Sequence, residues 1–278
     1  MVDARRLGAV TLALLLFLAL PGIVLSLRYH PEPALAHDAV TASDAGGLRA
    51  LRGSHWWGAS AVLALGALHY ARSFAAARLD VPGRRAALAG LAALAILVLA
   101  YFSGTILPWD QQGWEALGHA RGALGHARGA PADAPLRAIF WLHVLAVPAA
   151  LAALLSLHLA RGGRLAADLR RSARLLASAW KPIAATIALV VALGALSPPS
   201  LGPAPFEGIE VARPDWPFLW LVPLQDAMGP LALWALPIAF LIAGAALVSR
   251  WEPGATVRRL VLALVIAGWS ALTLLGAR

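Results

Sequence analysis

Seven apolar stretches, most of them close to twenty residues, constrain this chain more than any other feature. They run Leu7–Leu27, Trp56–Phe74, Ala86–Pro108, Ile139–Leu159, Pro182–Leu196, Met228–Val248 and Arg259–Leu275. About twenty apolar residues are what a helix needs to cross a hydrocarbon core. In lipid, a lone segment meets its own backbone hydrogen bonds only as a helix. The expected fold class is therefore all-α integral membrane, with seven transmembrane helices. Composition agrees: 60% of the 278 residues are hydrophobic and 13% charged, against about 25% charged in ordinary soluble domains. The first stretch follows Arg5 and Arg6 but is longer than a signal-peptide core and lacks a small-residue cleavage site, so it is expected to remain as a span.

The net charge of +9 does not point to nucleic acid, because the basic residues sit between apolar runs. Of the 23 Lys and Arg, 15 fall in one set of loops (with Arg5, Arg84, Arg170 and Arg258) and 8 in the other (with Arg28, Arg121 and Arg213). The positive-inside rule then predicts a cytoplasmic amino terminus and an outside carboxyl terminus, as in a bacterial-type inner membrane. The outside loops, Arg28–Ser54, Trp109–Ala138 and Ser197–Ala227, are the longer ones. One carries a tandem duplication, Ala-Leu-Gly-His-Ala-Arg-Gly at 116–122 and again at 123–129, which reads as a surface helix. Its histidines are not expected to be ligands. There is no cysteine, so thiolate metal sites, iron–sulfur clusters and thioether-attached haem are excluded within this chain.

Four histidines fall in spans, where an ionisable side chain is costly and functional by default. His55 and His69 are fourteen residues apart, about 21 Å along a helix and within roughly 40° of one face. His143 and His158 are fifteen apart, about 22 Å and within roughly 60°. The second and fourth spans run in the same direction, so His55 is level with His143 and His69 with His158. A single such histidine reads equally as a buried polar residue or a proton relay. Two facing pairs at two depths read as axial ligands of two haems, His55 with His143 and His69 with His158. Gly8 and Gly22 in the first span, and Gly90 and Gly104 in the third, repeat the fourteen-residue step, where a missing side chain lets a flat macrocycle approach. Arg52 and Arg72 flank the first histidine pair at positions suited to haem propionates.

These residues resemble cytochrome b of the Rieske/cytochrome b complexes, in a form similar to a fused plastid-type cytochrome b and subunit IV. The resemblance rests on 51–60 and 68–72 around His55 and His69, on Gly104-Thr105-Ile106-Leu107-Pro108-Trp109-Asp110-Gln111, and on His143 with His158. It rests also on Pro214-Asp215-Trp216-Pro217-Phe218, which is similar to the Pro-Glu-Trp-Tyr motif of a quinol-oxidation site. Asp215 stands for that motif's Glu and Pro217 for its Tyr. It implies a four-helix di-haem bundle over 1–160, a cytoplasmic linker over 161–181, and a three-helix domain over 182–278 that carries the outer quinol loop. It further implies two haem b and no covalent haem, quinol as substrate, and oxidation of quinol at the outer side with electrons crossing the membrane. The implied partners are a Rieske iron–sulfur protein and a c-type cytochrome or similar acceptor, in a homodimer within a multi-subunit complex. Asp215, with Trp216 beside it, is the expected proton acceptor, in an apolar setting with Phe218, Trp220 and Pro223. Asp215 also reads as the cap of a short helix beginning at Trp216. Two other classes stay open: a di-haem conduit or anchor without quinone turnover, and a proton-coupled transporter.

Overall fold

The computed structural model describes residues 4–76, 81–123, 135–159, 165–207, 212–250 and 254–277. Its regular structure is helical throughout these residues. The helices are α1 (Ala4–Ser26), α2 (Ala36–Ser43), α3 (Arg49–Ala76), α4 (Val81–Ile106), α5 (Gln111–Ala123), α6 (Leu136–Trp141), α7 (Val147–Leu159), α8 (Leu165–Ser178), α9 (Trp180–Leu196), α10 (Val222–Met228), α11 (Ala232–Arg250) and α12 (Ala255–Gly276). Single π-helical turns join α2 to α3 (Asp44–Leu48) and α6 to α7 (Leu142–Ala146), and a 3₁₀ turn (Trp216–Leu221) leads into α10.

All seven apolar stretches are thus largely helical, but seven membrane-crossing helices are more than their length and composition support. Four helical stretches are long and apolar enough to cross: Ala4–Ser26, Gly83–Ile106, Leu136–Leu159 and Thr256–Gly276. Two bent pairs, one breaking at 70° between α8 and α9 and the other at 117° before α11, raise the number to six. The remaining stretch lies in α3, which at 28 residues is long enough. Its two histidines, its arginines and its glycines and serines lower its hydropathy. The residues that make α3 chemically interesting are those that make it a poor span by composition. The segment expected as a linker over 161–181 contains a helix of its own, α8.

The first half is a bundle in which α1 packs on α3, α3 on α4, and α4 on α7, so that α3 and α7 face each other across it. Its interior is held by Leu14, Leu18, Val62 and Val190 on one side and by Ala93, Val147 and Leu151 on the other. The second half is not a separate body. Helix α9 lies against α3, where Gly53 and Gly194 meet so closely that a Cβ on Gly53 would stand 2.5 Å from the Gly194 carbonyl oxygen. Outward faces carry leucine and isoleucine instead of charge, for example Leu20, Leu157, Leu189, Ile242 and Leu264. Lipid is the environment that such a surface requires.

Candidate functional site

Helix α3 carries His55 and His69, while His143 lies in the π turn and His158 near the end of α7. The structure brings them together in the expected pairs. The His55 and His143 ring centres are 6.3 Å apart, and those of His69 and His158 are 6.1 Å apart. The π turn explains how a fifteen-residue step on one side matches fourteen on the other. A π turn takes up one extra residue, which cancels the additional residue and roughly 100° of rotation. Pro148 just beyond it has a local reason to favour this, because in a regular α-helix its ring would press on the Val144 carbonyl.

Second partners fix the imidazoles. Nδ1 of His69 donates to the Ala4 carbonyl at 2.9 Å, and Nδ1 of His158 to the Ala86 carbonyl at 2.8 Å. Nδ1 of His143 meets Ser103 Oγ at 3.0 Å. Since the Ser103 hydroxyl donates to the Ala100 carbonyl, it accepts from the histidine. A proton held on Nδ1 leaves Nε2 as the ligating nitrogen, which is the usual arrangement of metal-binding histidine. His55 differs: its buried Nδ1 lies by Leu18 without closing a hydrogen bond. A metal–imidazole nitrogen bond is about 2 Å and the ring centre lies roughly 1 Å further, so two opposed imidazoles on one metal stand about 6 Å apart. Both gaps fit this spacing.

Each of the four glycines faces one of these rings. A Cβ on Gly8 would stand 2.8 Å from Cε1 of His69, on Gly22 3.1 Å from that of His55, on Gly104 2.9 Å from that of His143, and on Gly90 3.4 Å from that of His158. The α1 glycines serve the α3 histidines and the α4 glycines serve the opposite pair. The cradle was expected from sequence; its immediate occupant is the imidazole. Arg52 is drawn elsewhere than expected. Its Nε donates to Asp44 at 2.9 Å and its Nη2 to the Pro199 carbonyl at 3.1 Å, which ties the start of α3 to the loop after α9. Arg72 is exposed at the opposite end.

Asp215 and Trp216 sit against the first half at the His55/His143 end. Asp215 occupies the cap position of the 3₁₀ turn, but its side chain makes no capping hydrogen bond. Instead Thr105, next to Gly104, donates to Asp215 Oδ2 at 3.4 Å, and the carboxylate faces the Tyr101 hydroxyl. Trp216 Nε1 donates to Ser60 Oγ at 3.3 Å, and Ser60 Oγ lies 3.1 Å from Tyr101 Oη. Indole can only donate and an ionised carboxylate can only accept. The two hydroxyls between them are therefore oriented, Ser60 toward Tyr101 and Tyr101 toward Asp215.

Sequence reading did not single out Ser60, Tyr101 or Ser103. All three are buried hydroxyls on helices, and burial was the signal missing from the sequence.

The segment leading to Asp215 is held by Asp110, Gln111 and Glu115, all buried. Asp110 Oδ2 accepts the Gly202 amide at 3.0 Å, Gln111 pairs with both backbone groups of Phe206, and Glu115 Oε2 accepts the Ala212 amide at 2.9 Å. His37 adds a bond from Nε2 to the Gly202 carbonyl at 3.0 Å. Nearby, Tyr29 donates to the Leu107 carbonyl at 2.6 Å, and burial pushes its phenol up so that it stays a donor. The first copy of the duplicated heptapeptide lies on α5, where His119 meets Gln225 at 3.2 Å. The second copy, with His126, falls almost wholly outside the described residues.

No family model matches the chain, and no curated protein does. Solved structures do match. A chain of a hyperthermophilic respiratory Complex III superposes with a TM-score of 0.75 at 20% identity, covering 100% of this chain and 85% of that one. The two share a fold. At this identity the likeness speaks for the fold alone. It is in keeping, at that coarse level, with the resemblance read from the sequence.

Proposed function

We propose that this chain is the cytochrome b subunit of a membrane quinol oxidoreductase, holding two b-type haems, one between His55 and His143 and one between His69 and His158. The observation that carries this reading is the pair of imidazole gaps of one width at two depths, each walled by glycine. When bound, the two haems supply one-electron transfer at two levels of the bundle. The chain's part is to present Nε2 of His69, His143 and His158 by holding the Nδ1 proton elsewhere, to seat His55 against Gly22, and to exclude water with apolar helices. Arg72 and Arg52 are the proposed partners of the propionates, Arg52 while also tied to Asp44 and Pro199.

At the His55/His143 end, Asp215 is the proton acceptor for quinol, with Trp216, Thr105, Tyr101 and Ser60 holding it in position. A quinol hydroxyl within hydrogen-bond reach of Oδ1 or Oδ2 gives its proton to this carboxylate as its electrons leave. The acceptors are a Rieske iron–sulfur protein, required because this chain has no cysteine, and a c-type cytochrome or similar protein, in a dimeric multi-subunit complex. The basic-loop bias supports a cytoplasmic amino terminus in a bacterial-type inner membrane.

A reduced-minus-oxidised absorbance spectrum of the purified complex tests the haem assignment: two b-type haems are expected, and His69→Ala should remove one and spare the other. Absence of haem in the wild-type complex refutes it. Asp215→Asn should keep both haems and slow quinol oxidation by about a hundredfold or more. A wild-type rate would remove Asp215 from the proton path.

A further inference from the structure

Helix α8 has no part in the redox reading, yet it has the makings of an interaction surface. Its sequence, Leu-Ala-Ala-Asp-Leu-Arg-Arg-Ser-Ala-Arg-Leu-Leu-Ala-Ser, is too polar and too short to cross a membrane. It breaks at 70° from the axis of α9, which is apolar from Ile183 to Leu196. If α9 runs along the membrane normal, a helix at that angle lies close to the membrane plane. The packing is one-sided. Ser172, Leu175 and Leu176 are half-buried, and α8 rests on α1, whereas Arg170, Arg171 and Arg174 are exposed. Those three arginines fall within about 100° of one another on the helix, with Ser172 and Leu176 on the opposite side and Leu175 at the edge between the two faces.

The junction with α9 carries a second, independent mark of the same boundary. Trp180 is 61% exposed, and Lys181 Nζ stands 5.8 Å from the centre of its ring. Tryptophan beside lysine at the end of an apolar helix is the composition of a membrane–water interface. It sets the depth of α8 at the headgroups. A cationic face at that depth meets lipid phosphates, and guanidinium groups bind phosphate through paired N–H donors.

We infer that α8 is an interfacial helix whose Arg170, Arg171 and Arg174 bind the headgroups of anionic phospholipids, and so anchor the connection between the two halves to one leaflet. The charge complementarity picks the occupant. Zwitterionic headgroups offer a phosphate with its own cation, whereas phosphatidylglycerol offers one without. Each basic residue at such a surface favours an anionic lipid by roughly fivefold at low salt, and screening reduces this as ionic strength rises.

The full-length purified protein, delipidated and titrated with dioleoyl-phosphatidylglycerol or dioleoyl-phosphatidylcholine, tests this by native mass spectrometry. The wild type should prefer phosphatidylglycerol, and the preference should shrink between about 50 mM and 500 mM salt. The triple variant Arg170→Gln, Arg171→Gln, Arg174→Gln should lose at least tenfold of that preference while keeping wild-type helicity. The matching triple Lys variant should retain most of it. Equal binding of the two lipids by the wild type, or an unchanged preference in the Gln variant, overturns the inference. Equal binding by the wild type overturns the inference even if the Gln variant does not fold, and single Gln variants at Arg170, Arg171 and Arg174, each expected to lose part of the preference, then assign it to α8.

Discussion

At the scale of single residues, the four glycines are the most informative positions because each has a measurable clearance from an imidazole. Alanine at Gly8 or Gly104 would place a methyl 2.8 or 2.9 Å from a histidine carbon, at Gly22 3.1 Å, and at Gly90 3.4 Å. Only the last is ordinary contact. Overpacking of this kind costs about 1–3 kcal/mol, and here the ring that must move is a proposed axial ligand. Gly8→Ala and Gly104→Ala should each weaken or shift the spectral signal of one haem, Gly22→Ala less so, and Gly90→Ala hardly at all. Spectra of the four purified variants check the order; a uniform response would mean that the glycines serve only helix packing. The glycine step was legible in the sequence because it repeats the histidine step. Ser103 was not, since a serine in an apolar helix gives no hint that its hydroxyl will accept a hydrogen bond from an imidazole.

At the scale of elements, the π turn Leu142–Ala146 is the feature on which the fourth helical stretch depends. Deleting Leu145, whose side chain is 62% exposed, removes one residue with little loss of packing. A regular helix would then carry His143 round by roughly 100°. The deletion should abolish the signal of the His55/His143 haem and leave that of His69/His158, as read in the difference spectrum. Retention of both would show that the turn is incidental. The sequence displayed the fifteen-residue spacing but not its resolution, because a π turn has no compositional signature beyond the nearby Pro148. Hydropathy likewise found the apolar stretches but not the angles between them. The 70° break falls at Ala179 and the 117° break at Gly229-Pro230-Leu231, where Gly229 has a φ of +83°. The polar character of α3 shows the limit from the other side: its place in the bundle follows from the helices it packs on, α1, α4 and α9, and not from how well it dissolves in lipid.

At the scale of the whole molecule, the two halves are joined by more than the chain. Helix α9 is seated on α3 through Gly53 and Gly194, and Trp57 Nε1 donates to the Ser197 carbonyl at 2.8 Å. The loop after α9 is held through Asp110, Gln111 and Glu115, which satisfy its backbone groups out of water, where an unmade bond costs about 1–3 kcal/mol. Arg52 and His37 add further ties from the first half. The broad fold and the paired histidines were readable from spacing, but this clasp was not, because it is made of side chain to backbone bonds between residues 92 to 165 apart. Its consequence concerns continuity of the polypeptide. An assembly whose recognition is built into its buried contacts does not need one ribosome pass to make it, so the protein expressed as two pieces, 1–160 and 165–278, should reassemble in the membrane and co-purify. A tag on either piece would reveal whether the peptide bond between them is a structural member or only a guarantee of equal numbers.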